Sequence, residues 1–242
     1  MIPRSIHQVW FGGLERAPTK IMASWRSLCE AHGWQYQLWT ESEINALPLE
    51  NRPIYDWFRA RRDLHGMSDV ARIEILRRFG GIYCDCDFQW AGNRLEDVLP
   101  LNTELLLATT ENKYPSPVQF GMWQKRFPGD GASAHFLANG FLAAPPENPI
   151  LTLMVQGMAE SVENNRVRIE QGFVDAEGKQ RRLGSADCVG CFLLTLCSRQ
   201  QPFVLLPIKR IFAPLRMLQD ESLQEYRKQL VSYYLARWRE AM

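Results

Sequence analysis

Residues 68–87 constrain this chain more than any other stretch. They read Ser-Asp-Val-Ala-Arg-Ile-Glu-Ile-Leu-Arg-Arg-Phe-Gly-Gly-Ile-Tyr-Cys-Asp-Cys-Asp. Ser68 stands where an N-cap belongs, Asp69 suits a first turn, and Arg77 and Arg78 suit a last one, where cations meet the negative end of the helix dipole. Val70, Ile73 and Leu76 recur on one stripe and Ala71, Ile75 and Phe79 on the next. The pattern predicts a largely buried helix in which Asp69 and Arg72, three residues apart, share one exposed edge. Gly80 or Gly81 ends it with a left-handed residue, and Ile82-Tyr83-Cys84 follows as a short buried strand running straight into Asp85-Cys86-Asp87.

In extended chain, side chains alternate, so Asp85 and Asp87 are expected on one side and Cys84 and Cys86 on the other. Two carboxylates converging at the end of a buried strand repel each other unless a cation lies between them. Hard divalent ions such as Mg2+ or Mn2+ take carboxylate oxygens together with a substrate's phosphates. Asp85 and Asp87 are therefore the candidate metal ligands.

The flanks support an α/β chain. Ile6-His7-Gln8-Val9-Trp10-Phe11 alternates and is rich in β-branched and aromatic residues, a strand stopped by Gly12-Gly13. Residues 18–32 form a helical pattern with Met22, Trp25 and Leu28 on one face, and residues 34–39 alternate as a second strand. A β-α-β start with this spacing indicates a mostly parallel, nucleotide-binding sheet flanked by helices. Residues 41–64 read as Arg-rich helix, 96–100 as a turn and 104–109 as a buried strand. Residues 112–134 read as loop, 139–145 as a strand opening on Asn139-Gly140, 149–164 as an amphipathic helix and 165–182 as a charged, flexible excursion. Residues 224–238 form a final helical pattern.

With 242 residues and 46% hydrophobic content, residues 1–242 suffice for a single domain with a full core. No apolar run is long enough for a membrane span, and the start lacks a signal peptide's apolar stretch, so a cytoplasmic location is expected. A net charge of +1 argues against a global field for nucleic acid, although residues 51–66 and 199–242 are locally basic. Six cysteines in such a chain are expected as free thiols. Cys188 and Cys191 have the spacing of a zinc pair, but no second pair accompanies them. His7 is expected to be a structural buried histidine.

Asp69-x-x-Arg72, the helix remainder, Gly80-Gly81-x-Tyr83 and Asp85-x-Asp87, together with Ile6-His7-Gln8-x-Trp10, resemble the DXD sugar-binding glycosyltransferases. The resemblance is to glycosyltransferase family 32, the yeast-type initiating mannosyltransferases, and more distantly to the catalytic domains of large clostridial glucosylating toxins. It implies a GT-A-like single domain that moves a sugar from a UDP- or GDP-linked donor to an acceptor, a saccharide by default, with retention and with Mn2+ or Mg2+. In the family's terms Trp10 stacks on the base and the Val9 backbone reads its edge. Asp87 binds the metal, Asp85 meets the ribose or a metal-bound water, and Arg72 offsets charge on the leaving diphosphate. Asp69 and Asn139 hold sugar hydroxyls. A closing C-terminal helix, about residues 220–242, would bring Trp238 over the diphosphate. Two positions depart from the family: Gly184-Ser185-Ala186-Asp187 replaces a Thr-Gly-Pro, and Ala236 stands where a Ser is expected. The alternatives are hydroxymethylated DNA as the acceptor, or an inactive nucleotide-sugar-binding relative. The oligomeric state is not legible in the sequence.

Overall fold

In a computed structural model, the described residues are 1–88, 94–110, 122–123, 125–127, 136–174 and 178–206. The opening alternation folds as expected into β1 (Ser5–Val9) and, after helix α1 (Thr19–His32), β2 (Gln35–Trp39). Gly33 ends α1 in the left-handed region, and β2 pairs parallel to β1 in register from Ser5–Gln35 to Val9–Trp39.

Two short helices follow where one Arg-rich helical stretch was expected. Helix α2 (Glu41–Ala46) starts from a Thr40–Glu43 capping box, and α3 (Arg52–Ala60) has Pro53 in its first turn. No side chain of its own caps α3. Instead the buried Glu74 carboxylate accepts the backbone N–H groups of Glu50 (3.1 Å) and Asn51 (2.7 Å), which ties α3 to the next helix.

That next helix, α4 (Leu64–Phe79), is the central one. It begins at Leu64 rather than at Ser68, because the Asp63 carboxylate caps it by accepting the Gly66 N–H (3.0 Å). Gly66 tolerates the helix because its bare Cα admits the Phe58 ring, which a Cβ would meet at 2.2 Å. Ser68 and Asp69 thus lie in the second turn. The expected exposed edge does not exist: Asp69 and Arg72 are each about 5% exposed, buried with Val70, Ile73, Ile75 and Leu76. Each fully buried Ile or Leu contributes on the order of 1.5–3 kcal/mol. Gly80 and Gly81, with φ of +65° and +95°, turn the chain into β3 (Gly81–Cys84).

The remaining strands are β4 (Leu106–Thr110), β5 (Leu137–Ala144), a β6–β7 hairpin (Phe173–Val174, Gln180–Arg181) and β8 (Phe203–Leu206). The six-stranded sheet has the order β2-β1-β3-β5-β4-β8. β1 pairs parallel with β2 and β3, and β4 with β8, while β5 runs antiparallel to β3 and β4. Helix α5 (Pro149–Glu170) and helix α6 (Cys191–Ser198) pack on the same face as α3 and α4. Alternate strand residues serve the two faces: Tyr83, Ala108 and Leu142 pack toward α4, and Ile82, Leu107 and Phe141 toward α1. The α/β class with a mostly parallel sheet between helices is therefore as predicted.

Where a flexible excursion was expected at 165–182, the described residues instead include helix and strand. Helix α5 runs on to Glu170, since Val162 and Ile169 keep its apolar face buried, and the β6–β7 hairpin follows. No helix among the described residues is long and apolar enough to cross a membrane. Trp238, Ala236 and the C-terminal helix at 220–242 lie outside the described residues, as does most of 112–134.

Candidate functional site

The carboxyl ends of β1 and β3 face the same edge of the sheet, and the sequence-predicted residues other than Trp238, which lies outside the described residues, are found at or near that edge. β3 stops at Cys84. Asp85-Cys86-Asp87-Phe88 is a tight turn closed by the Phe88 N–H donating to the Asp85 carbonyl (3.1 Å), so strand alternation does not reach the two aspartates. Asp85 is half-buried, Cys86 buried and Asp87 exposed. The turn is anchored on several sides. The Asp85 N–H donates to the Gly140 carbonyl (2.8 Å). The Trp25 indole N–H donates to the Phe88 carbonyl (2.6 Å), and the Cys86 thiol to the Val9 carbonyl (3.4 Å). The fully buried Gln8 amide donates to the Asp85 carbonyl (3.4 Å) and to Cys84 Sγ (3.5 Å), while its Oε1 accepts from the Tyr36 hydroxyl (2.8 Å).

Arg72 is the hub. From α4 its guanidinium reaches across to β3 and β5: Nη1 to the Asp85 carboxylate (3.1 Å) and to the Asn139 carbonyl (3.0 Å), Nη2 to Asp69 Oδ1 (3.4 Å) and Ser68 Oγ (3.1 Å), Nε to the Ser68 carbonyl (3.2 Å). Its Cζ lies 4.7 Å from the centroid of the Tyr83 ring. Burial disfavours the Arg72 cation, but Asp85, Tyr83 and Asp69 outweigh it and shift the group upward, so Arg72 stays charged. The Tyr83 hydroxyl donates to Asp85 Oδ1 (2.7 Å), and burial pushes that phenol far above its ordinary value, against the pull of Arg72. Burial also lifts the Asp85 carboxyl above the usual carboxylate range despite Arg72 and Tyr83.

Asn139 arrives through an irregularity in β5. The β4–β5 register jumps between Ala108 and Thr109, so residues 139–141 bulge on that side while Phe141 still pairs with Cys84 in β3. The bulge turns Asn139 inward, where its Nδ2 donates to Asp69 Oδ1 (2.8 Å). Gly140 lies against Asp85: a Cβ there would stand 2.7 Å from Asp85 Oδ2. Asp69, Arg72, Asp85 and Asn139 thus form one hydrogen-bonded cluster, drawn from α4, the β3 turn and the β5 bulge.

Val9 ends β1 buried, and Trp10 follows half-buried at the same sheet edge. The Trp10 backbone N–H donates to the Trp39 carbonyl (2.9 Å) and its indole N–H to the Gly13 carbonyl (2.8 Å), so the ring is held from both ends. His7 is structural, as expected. Nε2 meets the Gly80 carbonyl (3.0 Å), Nδ1 accepts from the Trp39 indole (3.2 Å), and burial lowers its pKa to about 4. All six cysteines are free and buried. Cys188, whose thiol burial pushes up to about 12, lies in the core. Cys191 donates to Asn139.

Among the described residues no three His, Cys, Asp or Glu side chains gather as a metal cluster. The turn does carry two carboxylates, Asp85 half-buried and Asp87 exposed, oxygen ligands of the type that Mg2+ or Mn2+ takes together with phosphates and water.

Sequence reasoning missed Tyr83, Gln8, Gly140 and Cys191 as parts of this site. Tyr83 and Gln8 lay inside the quoted motifs but read as core. Gly140 was noted only as the neighbour of Asn139, and Cys191 only as half of a Cys-x-x-Cys spacing, neither of which points to this contact.

The chain is similar to known proteins. Over 165 residues, 66% of this chain, it is 27% identical to inositol phosphoceramide mannosyltransferase 1 of Schizosaccharomyces pombe, of which it spans 43%. Over 79 residues, 30% of this chain, it is 32% identical to alpha-1,4-N-acetylglucosaminyltransferase of Homo sapiens, spanning 21% of that protein. The chain therefore spans less than half the length of these curated relatives. Among solved structures it resembles the PaToxG glycosyltransferase with a TM-score of 0.44 and 15% identity, over 82% of this chain and 69% of that one. The family model described as "Capsular polysaccharide synthesis protein" matches residues 1–175, which hold β1, α4, the aspartate turn and the β5 bulge, and the chain belongs to that family.

Proposed function

We propose that this chain is a glycosyltransferase of GT-A-like architecture that moves a sugar from a UDP- or GDP-linked donor to a saccharide acceptor, using Mn2+ or Mg2+ and retaining the anomeric configuration. The observation that carries the reading is the hydrogen-bonded Asp69–Arg72–Asp85–Asn139 cluster, set near Trp10 at the carboxyl ends of the parallel strands β1 and β3, where open α/β sheets bind nucleotides. The relatives with named activities are sugar transferases, which supports the same class.

In this reading Trp10 offers a flat face to the base and the Val9 backbone its polar edge. Asp87 and Asp85 would hold the divalent ion, which when bound offsets the charge of the departing diphosphate. Asp69 and Asn139 face the donor's sugar hydroxyls. Arg72 is the residue whose part the structure changes most. With every guanidinium nitrogen engaged by Ser68, Asp69, Asp85 or Asn139, it acts first by holding that set in place and by adding a fixed positive charge beneath the site. No side chain of the cluster stands out as a covalent nucleophile, so front-face displacement, with the acceptor entering on the leaving-group side, is the proposed course.

The deciding experiment is a thermal-shift screen of UDP- and GDP-sugars with and without manganese, followed by assay of sugar release. A bound donor raises the melting temperature by mass action, and manganese should deepen the effect. No shift with any nucleotide sugar, and no release, would sink the proposal.

A further inference from the structure

We propose that Cys191 is a positioning residue for Asn139: opposite Asp69, its thiol holds the Asn139 amide in the orientation that decides what the Asp69–Asn139 pair presents to a ligand. The inference rests on the glycosyltransferase reading only for the nature of that ligand.

Asn139 is 7% exposed and its amide is engaged at both ends. Nδ2 donates to Asp69 Oδ1 at 2.8 Å, and Oδ1 accepts the Cys191 Sγ–H at 3.1 Å. An ionised carboxylate only accepts, so Asp69 draws Nδ2 toward itself, and the Cys191 thiol, able to donate, meets the amide oxygen on the other side. Turning the amide over would set its carbonyl against the Asp69 carboxylate, and would exchange the thiol's donated bond for a weak one from Nδ2 to sulfur, of the kind Gln8 makes to Cys84. With this orientation held, the side chain retains one N–H and one oxygen lone pair. That donor–acceptor pair is what a sugar hydroxyl, itself donor and acceptor, can complete.

The thiol's own position is fixed. Cys191 is the first residue of α6, and its carbonyl accepts from the Thr195 hydroxyl (2.8 Å), whose oxygen in turn accepts the Leu137 N–H of β5 (3.0 Å). Helix α6 is thereby tied to the strand that carries Asn139. Gly190 makes the approach possible: a Cβ there would stand 2.8 Å from the Ala186 Cα, 3.0 Å from Asn139 Nδ2 and 3.1 Å from Asp69 Oδ2. Only a residue without a side chain lets the start of α6 press this closely on the amide.

The test compares wild type with Cys191→Ser, which keeps a donor, and Cys191→Ala, which removes it. Cys191→Val replaces the Ala variant should that one fail to fold. The first readout needs no ligand: the 15N–1H correlation of the Asn139 side-chain amide. Wild type and Cys191→Ser should show two well-separated, slowly exchanging protons, and Cys191→Ala should move both toward a free amide. The second readout is calorimetric titration with UDP-glucose and GDP-mannose beside UDP and GDP. Cys191→Ala should weaken whichever nucleotide sugar wild type binds by about tenfold, the scale of one unmet buried hydrogen bond, and leave the bare diphosphate unchanged. Cys191→Ser should recover most of that loss. An unaltered Asn139 signal in Cys191→Ala, a Ser variant as impaired as the Ala one, or an equal loss for the bare diphosphate would overturn the proposal. If wild type binds no nucleotide sugar, the glycosyltransferase reading fails, and the amide spectrum still decides for or against Cys191.

Discussion

Replacing Arg72 by Met tests whether the cluster is held by its cation. The change keeps the stem and removes a guanidinium that serves Asp69, Asp85, the Asn139 carbonyl and Ser68. Breaking a buried ion pair by removing one partner costs roughly 3–5 kcal/mol, because the other charge stays buried and unpaired. The two carboxylates do not weigh equally. Asp69 is 7% exposed in its side chain, whereas Asp85 is 34% exposed and can be rehydrated in part. That places the loss nearer the lower end, about 3 kcal/mol, or on the order of 10 °C in melting temperature for a chain of this size. The pH dependence gives a second signature. Asp85 already sits above the usual carboxylate range because of burial, and Arg72 is the strongest influence pulling it down. In Arg72→Met the folded state should take up this proton at still higher pH than the unfolded chain does. A group whose folded pKa is raised contributes stability below its unfolded value, and that stability is lost as pH rises through the folded value. The deficit relative to wild type should therefore shrink on acidification toward pH 4 and grow toward neutrality. Denaturant unfolding of both proteins at several pH values measures it. A deficit under 1 kcal/mol, or one independent of pH, would refute the account of Arg72 as the cluster's counter-charge.

Asp87→Asn should abolish transfer with little change in melting temperature, since Asp87 is exposed on its turn; wild-type-like turnover with manganese present would remove the metal assignment. Trp10→Ala should weaken nucleoside diphosphate binding by on the order of 1–3 kcal/mol, the scale of base stacking, in a calorimetric titration. A fall in stability of roughly 3–5 kcal/mol with binding unchanged would instead make Trp10 a core residue. His7 should make the fold acid-sensitive. Its pKa falls from 6.5 to about 4, so the unfolded chain binds the proton first. Stability should then decline by about 3 kcal/mol as pH drops from 6.5 to 4, and His7→Gln should flatten that slope in pH-dependent unfolding.

What could be read from the sequence was local, and what could not was made by contacts between distant segments. The order of helix, Gly-Gly, strand and Asp-x-Asp depends on periodicity and on glycine, so it was legible. The start of α4 was not. Ser68 reads as the N-cap, and only the Phe58 ring from α3 explains why Gly66 suits a helical turn before it. The same gap misplaced Asp69 and Arg72. Charged residues at i and i+3 normally mark a solvated edge, and nothing near them in the chain says that β5 will cover that edge with the Asn139 carbonyl. Extending alternation through Asp85 and Asp87 failed for a related reason. A strand continues only while it has a neighbour to pair with, and the Asp85 N–H meets the bulged Gly140 carbonyl just before the chain turns. Asn139 was singled out through resemblance, but one of the two hydrogen bonds that hold its amide comes from a thiol 52 residues away. The candidate residues were therefore written in short motifs, whereas their electrostatics, a buried cation shared by two carboxylates, came from where β5 lies: the strand was expected at 139–145, but not its antiparallel place beside β3 or its bulge against α4.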